Sequence, residues 1–529
     1  MDFDPIKLEL YKNILTSVSE EMGVTLQRTS FSPNIKERLD FSCAVFDGKG
    51  QMIAQAAHIP VHLGSMPLSV LAAIEKTKME RGDMIILNDP YQGGTHLPDI
   101  TLVAPVFGDD CDEPYFFVAN RAHHADVGGI TPGSMPLATS VVQEGIRIPP
   151  IKLFQKGELD TDIWELILAN VRTPTERSGD LEAQIAANRI GEHRLLEIVE
   201  KYGITELQTY MEELCAYSNR MVRSVLNEIP NGEYIFSDYL DNDGITNDQI
   251  EIRVSIKINN DTAIVDFTGS SPQVKGSVNA IYAITLSAVF YTFRCIVEEN
   301  IPSNSGCIEP IQVIAPEGTI VNATFPSAVA GGNVETSQRI VDVLFGALAQ
   351  ACPERVPAAS SGSMNNITIG GSDVVRDREF TYYETIGGGM GARPKKDGID
   401  AIHTHMTNTM NTPIEAIETS YPIEVDEYSI RRGTGGSGKY QGGDGIVRSF
   451  RILTDAEVTI LSDRREVNPY GLEEGEPGDC GRNTLIRDGE ESSLKGKVTI
   501  HAEERDIIKI ETPGGGGYGL STQQSDKKK

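Results

Sequence analysis

Residues 88–129 read NDPYQGGTHLPDITLVAPVFGDDCDEPYFFVANRAHHADVGG, and this stretch decides the fold around it. Two apolar runs within it, residues 100–107 and 114–120, are typical of strands, and the acidic segment between them is typical of a turn. If the runs pair as an antiparallel hairpin, the residue before the first strand and the residues after the second lie at the same open end. The sequence therefore predicts that Asp99 and His123 are neighbours.

The same stretch has the composition of a metal site. His96 precedes Asp99 in a glycine-rich loop and can fold over the same point. Imidazoles and a carboxylate at a strand end suit Zn²⁺, Mn²⁺ or Fe²⁺, and three protein ligands leave a position open for water, as catalytic sites need. Four of the nine histidines, His62, His96, His123 and His124, lie close together here, which favours a metal. The alternative is that these polar residues only cap strand ends.

An earlier pair of strands repeats the pattern. Residues 41–46 and 51–55 are apolar and flank a turn, so they predict a second hairpin. Asp40 stands just before its first strand, while His58 and His62 stand just after its second, so Asp40 and His58 should share an end. The two hairpins could bring Asp40 to the metal as a fourth ligand, with His58 or His62 lining the pocket. For His58, a hydrogen-bonded structural imidazole is the alternative.

Composition limits the class of protein. A chain of 529 residues is too long for one hydrophobic core and is expected to hold roughly two to four domains. The net charge of −29 argues against nucleic acid or an anionic membrane as a partner. We find no apolar run of about 18 residues and no signal peptide, and the seven cysteines are scattered without a CxxC pair. These features favour a cytoplasmic protein with reduced thiols.

The patterns along the chain predict a multi-domain α+β fold, with mixed β-hairpins and sheets, a helical layer and a glycine-rich β C-terminal region. Asp4 and Pro5 are typical of a helix start, and residues 65–76 predict a helix with a serine cap. The expected divisions are a metal-binding α+β region at 1–155, a helical segment at 156–230, a mixed α/β middle domain at 231–400, a glycine-rich, β-rich C-terminal domain at 401–522 and a disordered tail at 523–529.

Three glycine clusters, at residues 386–393, 431–445 and 512–519, dominate the last part of the chain. The middle cluster contains GTGGSGK at 433–439, which matches the first part of a P-loop. The Ser or Thr that a P-loop requires next is replaced by Tyr440, and the glycine-rich sequence that follows cannot begin a helix. The dinucleotide fingerprint also needs a βαβ unit. We therefore interpret the clusters as tight turns and close backbone packing, and expect no nucleotide site in this chain.

Several other residues are weaker candidates for a site. Arg393, Arg431 and Arg432 accompany the glycine clusters and could contact a substrate or an interface. His403 and His405 alternate as on a strand and would face one side of it, as a second metal or site candidate, although structural histidines are the commoner case.

Two further features lie in the helical parts. The sequence AGGN at 330–333 precedes a predicted helix, and a glycine-rich loop before a helix can hold an anion or can simply start the helix. His193 lies among charged helix residues and is expected to be solvated.

Five longer motifs carry a resemblance to a known family. They are ERLDFS at 37–42, HIPVHLGSM at 58–66, NDPYQGGTHLPD at 88–99, NRAHHADVGG at 120–129 and TPGGGGYG at 512–519. In this order they resemble the hydantoinase B family, known from ATP-dependent hydantoin, oxoproline and lactam hydrolases and from acetone and acetophenone carboxylases. The resemblance implies a metal held by Asp40, His96, Asp99 and His123. His123 is taken as the ligand in preference to His124, because the position of His124 is not always histidine in the family.

The resemblance also implies a partner, a separate hydantoinase A-type subunit that binds ATP and Mg²⁺ in a hetero-oligomer such as α2β2. That subunit would phosphorylate an oxygen of a cyclic amide or of bicarbonate. In this chain Zn²⁺ or Mn²⁺, or else Fe²⁺, would polarise the reacting carbonyl or make hydroxide available. Asp126 or His124 could assist proton transfer, His58 or His62 could position the substrate, and Asp89 could support the ligands.

Three functions are compatible with these residues. The favoured one is the metal-binding catalytic subunit of a cyclic amide hydrolase. The second is a subunit of a carboxylase that acts on a ketone and bicarbonate, and the third is a scaffold whose metal only holds the fold.

Overall fold

A seven-stranded antiparallel sheet contains the stretch quoted above. The computed structural model describes residues 4–56, 59–109, 111–297 and 300–521, and its helices and sheets confirm the predicted α+β class. The tail predicted at 523–529 lies outside these residues. The strand order is β2-β1-β5-β4-β3-β6-β7, with β1 Phe41–Asp47, β2 Met52–Gln55, β3 Met84–Leu87, β4 Asp99–Val106, β5 Phe116–His123, β6 Ile151–Gln155 and β7 Glu158–Leu159.

Both predicted hairpins are confirmed, and they are neighbours in this sheet. β4 pairs with β5 so that Asp99 lies opposite His123. β1 pairs with β2 on one side and with β5 on the other, where Phe41 lies opposite Ala122. Asp40, which precedes β1, therefore lies at the same sheet edge as the ends of β4 and β5. The backbone N–H of His123 donates to the carbonyl of Asp40 at 3.0 Å.

Helices cover both faces of this sheet, which explains why β4 and β5 are continuous apolar runs rather than alternating ones. Those of the first half of the chain are α1 Pro5–Thr29, α2 Pro33–Lys36, α3 Ser65–Lys76, α4 Thr161–Leu168, α5 Pro174–Tyr202 and α6 Ile204–Glu228. The carboxylate of Asp4 accepts the N–H of Ile6, as expected for the start of α1. The predicted serine cap of α3 is wrong, because the Ser65 hydroxyl accepts from the buried Arg121 and donates to the carbonyl of Val61.

A second sheet and two buried helices follow. The sheet has the order β11-β10-β9-β8, with β8 Gly232–Leu240, β9 Ile250–Asn259, β10 Thr262–Asp266 and β11 Ile311–Ile314. α7 Tyr282–Cys295 packs on α8 Ser337–Leu348, and α8 covers β8 and β9. A π-helical segment, Gly332–Thr336, leads directly into α8.

The C-terminal third forms two more sheets around a second apolar cluster. One has the order β13-β12-β16-β19 and the other β14-β15-β20-β17-β18. Their strands are β12 Asn366–Asp373, β13 Arg378–Glu384, β14 Ile423–Arg431, β15 Gly445–Ile452, β16 Ala456–Leu461, β17 Arg482–Arg487, β18 Glu490–Leu494, β19 Lys497–Ala502 and β20 Ile507–Glu511, with α9 Ile414–Ser420 beside β14. The first of these sheets combines strands from both sides of the predicted boundary at residue 400.

The three glycine clusters pack backbone against backbone. The N–H of Gly515 donates to the carbonyl of Gly443 at 2.9 Å, and the N–H of Gly443 donates to the carbonyl of Met390 at 2.8 Å. A Cβ on Gly515 would lie 2.2 Å from the Met390 oxygen, and one on Gly442 would lie 2.0 Å from the Gly515 oxygen. The structure thus agrees with the interpretation as close packing. In the described part of the chain, no helix combines the length and hydropathy needed to cross a membrane.

We expect Gly515→Ala to destabilise the chain by about 2 kcal/mol or more, because its Cβ would overlap backbone that is itself hydrogen-bonded. Gly433→Asn is the control within the same clusters. Gly433 has a φ of +79°, a Cβ there would meet no described atom within 4 Å, and Asn tolerates that conformation. Chemical denaturation measures both. Equal stability of Gly515→Ala and the wild type would contradict the packing described.

Candidate metal centre

Three buried side chains converge at the end of the β4–β5 hairpin. The Oδ1 atom of Asp99 lies 3.1 Å from Nε2 of His96 and 3.3 Å from Nδ1 of His123. Among the described residues, this is the group of His, Cys, Asp and Glu whose ligand atoms all lie within 4.8 Å of one another. The hairpin register places Asp99 and His123, and the turn before β4 folds His96 over them.

The second carboxylate oxygen of Asp99 is held by other side chains. Oδ2 accepts from the hydroxyl of Thr95 at 2.7 Å and lies 3.3 Å from Nε2 of His62. The other ring nitrogen of His62 lies 2.8 Å from the hydroxyl of Ser42 on β1. His62 therefore contacts the centre through Asp99, and it orients that carboxylate.

His96 has a defined orientation. Its Nδ1 lies 3.2 Å from the carbonyl oxygen of Ala330, which can only accept, so Nδ1 carries the proton. A neutral His96 then turns the lone pair of Nε2 toward the Asp99 carboxylate. The Nδ2 group of Asn333 lies 3.0 Å from the same Nε2. A backbone carbonyl behind a histidine is a common support for a metal ligand.

His123 is fixed by an aromatic neighbour. The ring of Tyr383 stacks on it with centroids 4.4 Å apart and planes 17° apart, and the guanidinium of Arg38 lies 5.1 Å from the Tyr383 centroid. Nε2 of His123 is buried and has no hydrogen-bond partner among the described residues. That nitrogen is available to a ligand.

Asp40 lies beside this group without being one of the three. Its backbone carbonyl accepts from His123, and its carboxylate is 3.7 Å from the guanidinium of Arg38. Burial raises the pKa of Asp40, and the charges of His123 and Arg38 oppose that rise. The structure thus places Asp40 within electrostatic reach of His123, at the end of the neighbouring strand.

The protonation of the three-residue group follows from burial and contact. Burial by itself would raise the pKa of Asp99, but His96, His123 and His62 together hold it well below its usual value. Burial lowers the pKa of His123 and of His62, against the opposing effect of Asp99. At neutral pH the centre is therefore an anionic carboxylate beside neutral imidazoles, which are the protonation states that a divalent cation requires.

Other expected site residues lie elsewhere. His124 hydrogen-bonds to Gln184 on α5 at 2.9 Å, and burial lowers its pKa to about 4. The carboxylate of Asp126 accepts backbone N–H groups at 128, 172 and 173, so it holds loops together. Asp89 caps the short helix Pro90–Gln92. His58 lies outside the described residues.

The weaker candidates separate into two groups. His403 and His405 are not on a strand, so that prediction is wrong, and His405 has a φ of 57°. Both nonetheless line one cavity together with Arg393. Arg431 binds the carbonyls of Cys480 and Thr512, and Arg432 pairs with Asp400 at 3.1 Å. The last two arginines thus make contacts within the C-terminal sheets.

Sequence reasoning missed the residues that support the ligands. Thr95, Asn333, Tyr383 and the carbonyl of Ala330 all contact the three-residue group. The AGGN motif at 330–333 was a usable signal, because its first and last residues are the two that contact His96. It holds a histidine rather than an anion.

A buried acid holds the AGGN loop in place. One oxygen of Glu144 accepts the N–H groups of Val329 and Ala330 at 2.8 and 2.9 Å, and the other has no partner among the described residues. Burial raises the pKa of Glu144 to about 7. Glu144 therefore positions the Ala330 carbonyl that orients His96.

Comparison with known proteins agrees with the resemblance seen in the sequence. A family model described as hydantoinase B/oxoprolinase matches residues 4–521. An uncharacterised protein of Methanocaldococcus jannaschii is 46% identical over 98% of this chain and 91% of its own length. A 5-oxoprolinase of Dictyostelium discoideum is 41% identical over 98% of this chain but only 40% of its own length. A putative D-/L-hydantoinase subunit of a Pseudomonas species is 35% identical, with 99% and 91% covered.

Two solved structures share the fold. The ATP-dependent caprolactamase from Pseudomonas jessenii superposes with a TM-score of 0.91 at 29% identity, covering 98% of this chain and 92% of that one. A nucleotide-free acetone carboxylase superposes with a TM-score of 0.91 at 18% identity, covering 99% and 77%, which shows a common fold. The chain spans about 40% of the length of the 5-oxoprolinase that it matches.

We expect Glu144→Gln to change how stability depends on pH. The folded pKa of about 7 lies above the unfolded value of 4.5, so the folded chain holds the proton more tightly and loses stability as pH rises from about 4.5 through about 7. Gln keeps an acceptor for both N–H groups and cannot ionise. Relative to the wild type, the variant should gain about 3 kcal/mol between pH 4.5 and pH 8.

Chemical denaturation of metal-free protein at the two pH values measures this difference. Glu158→Gln, at an exposed position, is the control and should follow the wild type. Parallel curves for Glu144→Gln and the wild type would show that Glu144 is not a buried ionisable support.

Proposed function

The chain belongs to the hydantoinase B/oxoprolinase family, and we propose that it is the metal-binding catalytic subunit of an ATP-dependent enzyme that hydrolyses a cyclic amide. The observation that carries the proposal is the buried group of His96, Asp99 and His123, with His96 oriented from behind by a backbone carbonyl. Such a group can bind a cation that acts on a carbonyl.

The names of the relatives support the hydrolase interpretation. The relatives with about 40% identity include proteins named 5-oxoprolinase, and the 29% identical structure is a caprolactamase. Both names denote ring amides, so we propose a lactam substrate and favour 5-oxoproline. The alternative, a subunit of a carboxylase for a ketone and bicarbonate, is supported by likeness of fold to acetone carboxylase.

We propose that ATP is bound by another polypeptide. The match covers two fifths of the 5-oxoprolinase, which leaves most of that protein to supply other activities. The relative named as a hydantoinase subunit matches over nearly its whole length, which supports a partner polypeptide. That partner would be of hydantoinase A type, bind ATP with Mg²⁺, and form a hetero-oligomer such as α2β2 with this chain.

The residues fit a divalent metal, for which Zn²⁺ or Mn²⁺, or else Fe²⁺, is proposed. His96, Asp99 and His123 would hold it, with Asp40 as a fourth ligand from the start of β1. The lone pair that His96 turns toward the Asp99 carboxylate is unfavourable without a cation, and a metal satisfies both groups. When bound, the metal would supply Lewis acidity that polarises the amide carbonyl and makes water more acidic.

The chain's own residues would position the reaction. Thr95 and His62 hold the outer oxygen of Asp99, so its inner oxygen stays directed at the two histidines. The stacked Tyr383 prevents the ring of His123 from rotating away. His62 is neutral at neutral pH, because burial lowers its pKa, and it can take up a proton where the ring nitrogen of the amide must later receive one.

We expect His96→Ala and His123→Ala to abolish metal binding and to lower ATP-dependent ring opening roughly 100-fold or more in the reconstituted complex, because each removes a ligand. His193→Ala is the control, since His193 is exposed on α5 and distant in sequence from the centre. Metal analysis and turnover are measured on the same samples. Unchanged metal content and turnover in either variant would contradict the proposal.

We expect the complex supplied with ¹³C-bicarbonate, ATP and 5-oxoproline to release an open-chain amino acid without label. A hydrolase takes its oxygen from water, whereas a carboxylase would retain the labelled carbon in a new C–C bond. Mass spectrometry of the product distinguishes them, and retained label would favour the carboxylase alternative.

We expect chelation to stop ring opening while the chain stays folded, because the centre lies at one sheet edge beside two large apolar clusters. Circular dichroism and turnover before and after chelation measure this. Unfolding in parallel with the loss of activity would indicate that the metal only holds the fold.

A further inference from the structure

A cavity of about 540 Å³ lies beside the candidate metal centre. Most of its wall is apolar and comes from α7, α8 and the loops near residues 356, 390 and 402. A volume of this size suits a small molecule, and an apolar wall with a few convergent polar groups is the usual form of a ligand site.

His403 contributes an unused acceptor to this wall. Its Nε2 lies 3.2 Å from Oδ1 of Asn411, and the amide of Asn411 is fixed because its Nδ2 donates to Glu384 and to the carbonyl of Thr385. Oδ1 must accept, so Nε2 of His403 carries the proton. Burial lowers the pKa of His403 to about 4, so the ring is neutral. Its Nδ1 is then a buried lone pair without a partner among the described residues.

Arg393 contributes an unused donor. One terminal nitrogen donates to the carbonyl of Asp397 at 3.0 Å, while Nε is buried and has no hydrogen-bond partner in the described ranges. Unsatisfied buried polar atoms are uncommon in native proteins and call for a physical reason. Here one donor and one acceptor line the same cavity.

The third polar ring of the wall, that of His405, faces protein groups on both of its nitrogens. Nδ1 lies 3.4 Å from the hydroxyl of Tyr291, and Nε2 lies 3.6 Å from Oδ1 of Asp342. His405 therefore completes the wall, and Arg393 and His403 are the groups that can turn a free donor and a free acceptor to a ligand.

Two short links connect the cavity to the metal centre. Pro60 lines the cavity, and the next residue but one, His62, contacts Asp99; the N–H of Val61 donates to the carbonyl of Met406 at 3.2 Å. On the other side Gln338 on α8 donates to the carbonyl of Thr404, and the π-helical segment before α8 carries Asn333 to His96.

We propose that this cavity binds the ring of a secondary cyclic amide by its amide edge, with Nε–H of Arg393 donating to the carbonyl oxygen and Nδ1 of His403 accepting the ring N–H. A ring forces the amide into the cis form, so its N–H and C=O point to the same side and can meet a donor and an acceptor on one wall. The apolar walls cover the ring methylenes. This inference rests on the proposed cyclic amide substrate.

Binding of 5-oxoproline and of its N-methyl derivative to the full, metal-loaded chain tests the inference without any mutation. N-methylation removes the donor and adds a methyl group against His403, so we expect at least about tenfold weaker binding, measured by calorimetry. Equal binding of the two rings would overturn the proposed contact.

Variants of the wall give a second test. Arg393→Met and His403→Phe keep much of the side-chain volume and should each weaken 5-oxoproline binding at least about tenfold. The controls Arg432→Met and His193→Gln lie off the cavity and should bind as the wild type does. His96→Ala should lose metal but keep ring binding within about twofold.

The outcomes separate this inference from the proposed function. Binding that is lost in His96→Ala and kept in Arg393→Met and His403→Phe would overturn the cavity assignment and leave the hydrolase proposal intact. Ring binding that depends on the cavity, in a complex that hydrolyses no cyclic amide, would support the cavity and contradict the proposed reaction.

Discussion

The pairing of β4 with β5 is the constraint on which the candidate site depends. Asp99 lies opposite His123 only in this register, and a shift by one residue would turn every side chain of the strand to the other face. The complete burial of both strands fixes the register, because the two faces are covered by helices. Adding β1 beside β5 then places Asp40 at the same edge. A hydrophobic constraint therefore determines the positions of the polar groups.

Local patterns predicted most of this arrangement. Apolar runs around a turn indicated both hairpins, and antiparallel geometry alone placed Asp99 beside His123. The choice of His123 over His124 is consistent with the structure, in which His124 faces Gln184 on α5. The glycine clusters also pack as expected.

What the sequence could not show are contacts between distant segments. Ala330 and Asn333 reach His96 across more than 200 residues, and Tyr383 reaches His123 from another sheet. No periodicity encodes such pairs, because they depend on how separately folded elements pack. The strand predicted for His403 and His405 failed for a related reason, since hydrogen bonds to Asn411 and Tyr291 hold those histidines in an irregular segment.

The most direct measurement is anomalous X-ray diffraction at the absorption edge of the metal, from crystals of the purified chain. The account predicts one strong peak within coordination distance of His96, Asp99 and His123, at the edge formed by β1, β4 and β5. A peak at another set of side chains, or none there after loading with Zn²⁺ or Mn²⁺, would contradict the assignment of this sheet edge as the catalytic centre.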